Sequence, residues 1–541
     1  MKYQRSKTTT QTTLGNTFRH PTTLSYLPVK WESDTAMDKM RLPAIFLLII
    51  FSVFPVVWFR YLPLIDYPRH LATLQIHQNF SSNIEVGRFY GFLWVFTPNL
   101  GLDLLATPLL PFLPAEAVGK IVLVFSLIII YVGTILLDRE LNPDNWGLSL
   151  FSGIFLYNSS FEWGFLNYVI GIGFAILGFW LWVRYRERVR GFWILAFTAL
   201  GIVIGLMHFY ALAIYAVCVA GYECSMLWDK LREERRFRLS GLAAPIRAAV
   251  TVIISILVLL GPASSGQGPL VWGRSWGPQT FWESIVKWKG EALASPIYFH
   301  QAFEKPLLVA LLVVLVWALA TRTLVLNRRM VIPLAVFAVL FIIMPAELWG
   351  TAFADYRLPS GVAFFAWASL GWGKKSRARI AALCLLLGLC LIVRVGSIWA
   401  AWRPAQPILA EYEPVLQRVP PGSRLLVIVD GSGWSNPPLV HAALPAAAGR
   451  GIFLSRQLTR DIKMSDYDYL LEIRNPQTDI PVGVSLQQVG HGRTFTLYRI
   501  DQGTAHRSSE PWTGAALERL RTFSPDPTIV VFPNGRESDA R

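Results

Sequence analysis

The chain has 541 residues, 53% of them hydrophobic, with 21 tryptophans and a formal charge of +15. Such a composition excludes an ordinary soluble protein of this length, which would have to leave too much apolar surface in water. The charge alone would suit a nucleic-acid binder, but here the basic residues follow the pattern of membrane spans, so no nucleic-acid partner is expected.

In chain order, residues 1–41 are Ser/Thr-rich, polar and basic, and read as a disordered cytoplasmic tail. The first apolar run comes too late for a cleaved signal and lacks a small-residue cleavage site. Eleven spans are then expected, near 42–59, 119–137, 146–161, 164–183, 191–207, 209–227, 241–260, 306–321, 330–345, 359–373 and 378–399. With eleven, the clusters Arg184/Arg186/Arg188/Arg190, Lys230 through Arg238, Arg322/Arg328/Arg329 and Lys374/Lys375/Arg377/Arg379 all fall on the side of the N-terminal tail. Basic loops mark the cytoplasmic side, so the N-terminus is cytoplasmic. The expected architecture is an all-α polytopic membrane domain over 42–400, with a structured first external loop at 60–118 and a second long external loop at 261–305. A small external α/β domain follows at 401–500, where RLLVIVD, YDYLLEIR and RTFTLYRI have strand composition. Residues 501–541 read as a polar, partly disordered tail in which only TIVVF (528–532) is strand-like. The four cysteines lie in or beside apolar runs and form neither a disulfide framework nor a zinc spacing.

The polar residues of the external loops converge on one face. In LPLIDYPRHLATLQIHQNF (62–80), Pro68 predicts the first turn of a helix. Asp66 then has two compatible roles open to it, helix N-cap or general base toward an acceptor hydroxyl. Arg69 and His70 share its helical face, either as a local ion pair or as an anion clamp, and His77 reads as a bystander. The segment 99–114 is apolar but broken by Pro108, Pro111 and Pro114, and is expected as a helix along the membrane interface, interrupted by Asp103. Glu162, in a short turn, is either solvated or paired with Asp66 on a divalent cation such as Mg or Mn. Asn167 is placed to hydrogen-bond across the bundle, and His208 either caps a helix or lines a site. Asp355 and Arg357 precede a span, as a local ion pair or with Arg357 on a lipid phosphate. Loop 261–305, with Arg274, Glu283 and Lys287, either covers the site or rests on headgroups. No P-loop, HExxH or paired CxxC is present, and GSG at 431–433 lacks the spacing of a dinucleotide fold.

This layout resembles the GT-C superfamily of integral-membrane glycosyltransferases, with a cytoplasmic N-terminus, many spans, an acidic residue in the first external loop and an external C-terminal domain. DYPRHLA also resembles a DxPxHLA stretch in bacterial membrane proteins of this layout. The resemblance implies sugar transfer from a polyprenyl-phosphate donor to a glycan or lipid acceptor at the periplasmic face of a bacterial inner membrane. It implies Asp66 as catalytic base, with Arg69, His70, Glu162, Asn167, His208 and Arg357 around the substrate. The acidic residue that often adjoins the catalytic one is replaced here by Tyr67. Two other classes compete: a transporter or flippase of a lipid-linked or anionic solute, to which the intramembrane Arg394 would be suited, and a non-catalytic assembly subunit.

Overall fold

A computed structural model describes residues 36–92, 94, 96–234, 239–263, 287–299, 301–348, 351–373, 376–429, 439–455, 467–473, 485–501 and 529–531. The tail 1–35, the GSG at 431–433, most of loop 261–305 (with Arg274 and Glu283) and most of 501–541 lie outside these. The chain divides into Met1–Phe46 and Leu47–Arg541, and the fold below is that of the second unit.

The protein is an integral membrane protein. Among the described residues, five helices are long and apolar enough to cross a bilayer, within Ala115–Leu141, Leu166–Arg188, Phe209–Glu233, Ala243–Leu260 and Arg377–Leu416. In chain order the helices are α1 (Ala36–Trp58), α2 (Tyr67–Asn79), α3 (Ile84–Phe89), α4 (Gly101–Ala106), α5 (Ala115–Leu141), α6 (Ser159–Glu162), α7 (Leu166–Tyr185), α8 (Phe192–Met207) and α9 (Phe209–Glu234). They continue with α10 (Ala243–Ala263), α11 (Trp288–Ala294), α12 (Glu304–Ala320), α13 (Val331–Ile343), α14 (Ala354–Ala368) and α15 (Arg377–Trp402). The short α16 (Ala405–Ala410), α17 (Tyr412–Leu416) and α18 (Leu444–Ala448) belong to the C-terminal region. Leu312, Val316, Ile342 and Leu385 are among many exposed large apolar side chains on this bundle; with lipid as solvent, such an outer surface carries no penalty.

Two expectations are corrected. Residues 146–161 do not form a spanning α-helix: Leu148–Phe155 is a 3-10 helix, followed by the single turn α6. The cause is local. The buried carboxylate of Asp138 accepts from the Gly147 and Ser149 amides (2.9 and 3.2 Å) and from Ser149 Oγ (2.7 Å), which drives the chain into a tight turn. A 3-10 helix rises about 2 Å per residue, so Leu148–Phe155 covers about 16 Å, and α6 with the flanking residues completes the return to the Asp66 end. The segment 99–114 is likewise not one helix. Only α4 forms, and the prolines leave turns from Thr107 to Leu113, tied down by Gln78 Nε2 on the Leu110 and Leu113 carbonyls (3.1 and 2.9 Å).

Strand β1 (Tyr90–Phe92) pairs antiparallel with Ile529–Val531, within the TIVVF stretch. The pairs β2 (Leu324–Leu326) with β5 (Leu370–Trp372), and β3 (Glu347–Leu348) with β4 (Thr351–Ala352), close helix connections. The C-terminal sheet contains β6 (Arg424–Val429), β7 (Phe453–Ser455), β8 (Tyr469–Ile473), β9 (Ser485–His491) and β10 (Phe495–Asp501), in the order β7-β6-β8-β10-β9. β6 is parallel to both of its neighbours. As expected for a parallel strand, it is buried on both faces. Leu425 and Val427 pack with Leu409, Tyr412 and Leu416. Leu426 and Leu470 pack with Ala72 and Ile76 of α2 and with Phe89. The first loop and the C-terminal sheet therefore share a core rather than forming separate bodies.

Candidate functional site

The site grows from how the chain leaves α1. The Ile65 and Asp66 amides donate to the Glu162 and Trp163 carbonyls (3.1 and 3.0 Å), so two short connections form a ladder at one end of the bundle. Gly164 makes it possible. Its φ is +77°, and a Cβ there would lie 2.8–2.9 Å from the Tyr67 and Asp66 amide nitrogens. Pro68 starts α2 in its first turn, as the sequence predicts, and Asp66 occupies the cap position. Its side chain, however, makes no capping hydrogen bond. The carboxylate turns instead to His441, with Nε2 3.3 Å from Oδ1; Asp66 remains 26% exposed and His441 is buried.

His441 was not foreseen. It sits 375 positions downstream in the turn before α18, where the Leu444 amide donates to its carbonyl (3.0 Å) and Leu439, Val440 and Ala443 are buried anchors. α18 lies against α2, where Asn79 Nδ2 donates to the Gly449 carbonyl (3.1 Å) and the Gln75 side chain fits over Gly449. A histidine between apolar neighbours (LVHAALP) carries no motif, and the only hint is that burying an ionisable ring there calls for a polar partner.

Burial raises the Asp66 carboxyl, but the hydrogen bond and charge of His441, with the charges of Arg69 and His70, outweigh it. The net effect lowers the pKa, and the group is ionised at neutral pH. Arg69 and His70 are half-buried one turn along α2. The Asp66 charge also acts on Arg357, which is buried in α14. The Arg357 guanidinium lies 4.0 Å from the Phe165 ring centroid, and its Nη1 is 3.2 Å from His208 Nε2. His208 is held well below the usual imidazole range by burial and then by the Arg357 charge, and is neutral. Its position follows from Gly171: a Cβ there would lie 2.8 Å from Ala211 Cβ and 3.3 Å from His208 Cβ.

The remaining predicted residues serve elsewhere. Asn167 accepts from the Leu102 amide and donates to the Asn99 carbonyl (both 2.7 Å), which spends its amide on the start of α4. His77 lies 3.9 Å from Asp103, both buried, beneath Trp94. Glu162 shares the backbone ladder with Asp66, but its side chain is buried in another cluster. Burial, and then the charge of Glu304, push its pKa up to about 8, with Arg394 and Trp402 acting in the opposite sense. Arg394 is fully buried, 2.8 Å from Glu304 Oε1, and also donates to the Tyr157 carbonyl. Glu304, the first residue of α12, also accepts from the Gln301 amide of the preceding turn (2.9 Å). The two carboxyls therefore face different partners, Asp66 toward His441 and Glu162 toward the Glu304–Arg394 pair. Among the described residues, no three His, Cys, Asp or Glu side chains group as a metal site.

No family model and no curated protein matches the chain. Among solved structures, the fold is similar to that of the arabinofuranosyltransferase AftD from Mycobacteria, determined by single-particle cryo-EM. The TM-score is 0.46 and the identity 12%, over 86% of this chain, and the match spans 40% of that protein's length.

Proposed function

We propose that the protein is a membrane glycosyltransferase that moves a sugar from a polyprenyl-phosphate donor to an acceptor hydroxyl, with inversion at the anomeric carbon. The observation that carries this reading is the state of Asp66: ionised, partly open, released from its capping duty and oriented by His441. Such a carboxylate is suited to accept the proton of an attacking hydroxyl. The acceptor oxygen forms the new bond to the anomeric carbon as the bond to phosphate oxygen breaks. The electron pair leaves with polyprenyl phosphate, and the proton passes to Asp66. A single displacement inverts the centre, as in glycosyl transfer generally. Negative charge grows on the leaving phosphate, and the buried Arg357, whose guanidinium donates to the neutral His208 imidazole, is suited to meet it, with Arg69 and His70 nearer the surface. His441 is a positioning residue that acts through Asp66.

The site lies at the end of the bundle opposite the Arg184–Arg188 turn, since α7 runs from Leu166 beside the ladder to Tyr185. Basic loops favour the cytoplasm, which supports an extracytoplasmic site. Arg394 is the residue that a transport reading would use, and its complete burial against Glu304 removes the support it gave that alternative.

The test uses the full-length protein in lipid nanodiscs, wild type beside Asp66→Asn, with a panel of polyprenyl-phosphate sugars and acceptor mixtures. Released polyprenyl phosphate is measured by mass spectrometry. Release by wild type and its loss in an equally folded variant are expected; equal release by both overturns Asp66 as the base.

A further inference from the structure

A second feature adjoins the Asp66–His441 pair without including either residue. It is a cavity of about 300 Å³ walled by the α1–α2 connection, α2, the start of α5 and the α17–α18 region. That volume is at the lower end of small-molecule sites. Tyr67 and Pro68, which follow Asp66, form part of one wall, and Ala442, which follows His441, part of another. The cavity wall is thus continuous along the chain with Asp66 and with His441, though neither lines it.

The lining chemistry narrows the ligand class. Three cations reach the cavity, and each is engaged. Arg60 Nη2 pairs with Glu413 Oε2 at 3.2 Å. Lys120 Nζ donates to the Phe59 carbonyl at 2.6 Å. Arg450 donates to the Leu416, Gln417 and Val419 carbonyls at 2.6, 3.3 and 3.1 Å, which ties it to the end of α17. Glu116 and Glu413 offset two of these three charges, so the lining is a mosaic of paired polar groups rather than an anion clamp. What it offers instead is carboxylate, amide and phenol: Glu116 accepting from Gln75 Nε2 at 2.6 Å, Tyr61 donating to Glu413 at 3.3 Å, and the half-buried ring of Tyr61. Sugar hydroxyls donate and accept at once, so they match planar carboxylate–amide and carboxylate–guanidinium pairs, while the C–H faces of a sugar ring lie against aromatic rings.

We infer that this cavity binds a neutral sugar unit of the acceptor and holds its chain beside the Asp66–His441 pair. This rests on the glycosyltransferase reading for the word acceptor, but binding is measurable without turnover. The experiment is saturation-transfer NMR on the full-length protein in nanodiscs, with a mixture of neutral methyl hexopyranosides and pentofuranosides. A separate arm uses a short-chain phosphatidylglycerol. Four proteins are compared: wild type, Asp66→Asn, Glu116→Ala, and Ala446→Trp, which fills the cavity from α18. Thermal melting confirms that each is folded. Transfer to at least one glycoside is expected in wild type and Asp66→Asn, with at least a tenfold weaker affinity in both cavity variants. The inference is overturned if no glycoside responds, if Ala446→Trp and Glu116→Ala bind as wild type does, or if only the anionic lipid responds. Retained sugar binding in a protein with no transferase activity would sink the catalytic reading and leave the sugar site standing.

Discussion

Asp66 and Glu162 hang from the same pair of backbone hydrogen bonds, yet the two carboxyls have opposite states. Asp66 faces the seam between α2 and the C-terminal sheet, where His441, Arg69 and His70 overcome burial and keep it charged. Glu162 turns into the bundle, where burial and Glu304 keep its proton on up to about pH 8. Proximity along a ladder thus says little about chemistry. The side of the ladder on which a side chain falls, and the charges it meets there, decides which carboxyl stays ionised and which keeps its proton.

The contrast can be broken in several ways, of which Asp66→Asn has the largest expected effect. Positioned proton transfer contributes about 10²–10⁴-fold, so turnover in the polyprenyl-phosphate assay falls by that order, while loss of the charged contact with His441 lowers the melting temperature only slightly. Next comes Glu304→Ala, which leaves Arg394 buried and uncompensated. Breaking such a pair costs about 3–5 kcal/mol, so denaturant or thermal unfolding in nanodiscs drops sharply, and activity is lost with the fold. Gly164→Ala is third. A Cβ at positive φ pressing on the Asp66 and Tyr67 amides costs roughly 1 kcal/mol, and it displaces Asp66, so activity falls by more than the stability loss explains. His441→Gln is expected to reduce kcat with little change in melting temperature; a kcat equal to wild type would remove His441 from the site.

Glu162→Gln has the smallest expected effect on turnover, and it sharpens the contrast through pH. Because the folded pKa of Glu162 is raised, the folded state holds a proton that the unfolded state releases between about pH 4.5 and 8. The stability it confers is therefore full below that window and declines as pH rises through it. Wild-type melting temperature should fall across this range, and the glutamine variant should lose that part of the slope.

Much of the Asp66 end was legible. Pro68 announced α2, and Arg69, His70 and Arg357 do act electrostatically on or with Asp66; the spacing that sets Arg69 and His70 beside it is a local helical pattern. What stayed hidden depends on contacts between distant segments. His441 sits in an apolar turn whose only peculiarity is the ring itself. Arg394 looked like a charge adrift in a span because its partner, Glu304, lies 90 positions earlier at a helix start. Asn167 was legible as a hydrogen-bonding residue, but its partners at the start of α4, Asn99 and Leu102, were not. The 3-10 course of Leu148–Phe155 follows from Asp138 binding amides nine and eleven residues downstream, a constraint that apolar composition conceals.

The most direct test of the account is a side-by-side assay of Asp66→Asn and Glu162→Gln in nanodiscs, reading polyprenyl-phosphate release with melting temperature as the folding control. The account predicts loss of release by about 10²–10⁴-fold in the first variant and release within a few-fold of wild type in the second. Equal losses in two folded variants, or loss in Glu162→Gln alone, would contradict the assignment of one carboxylate as base and the other as buried acid.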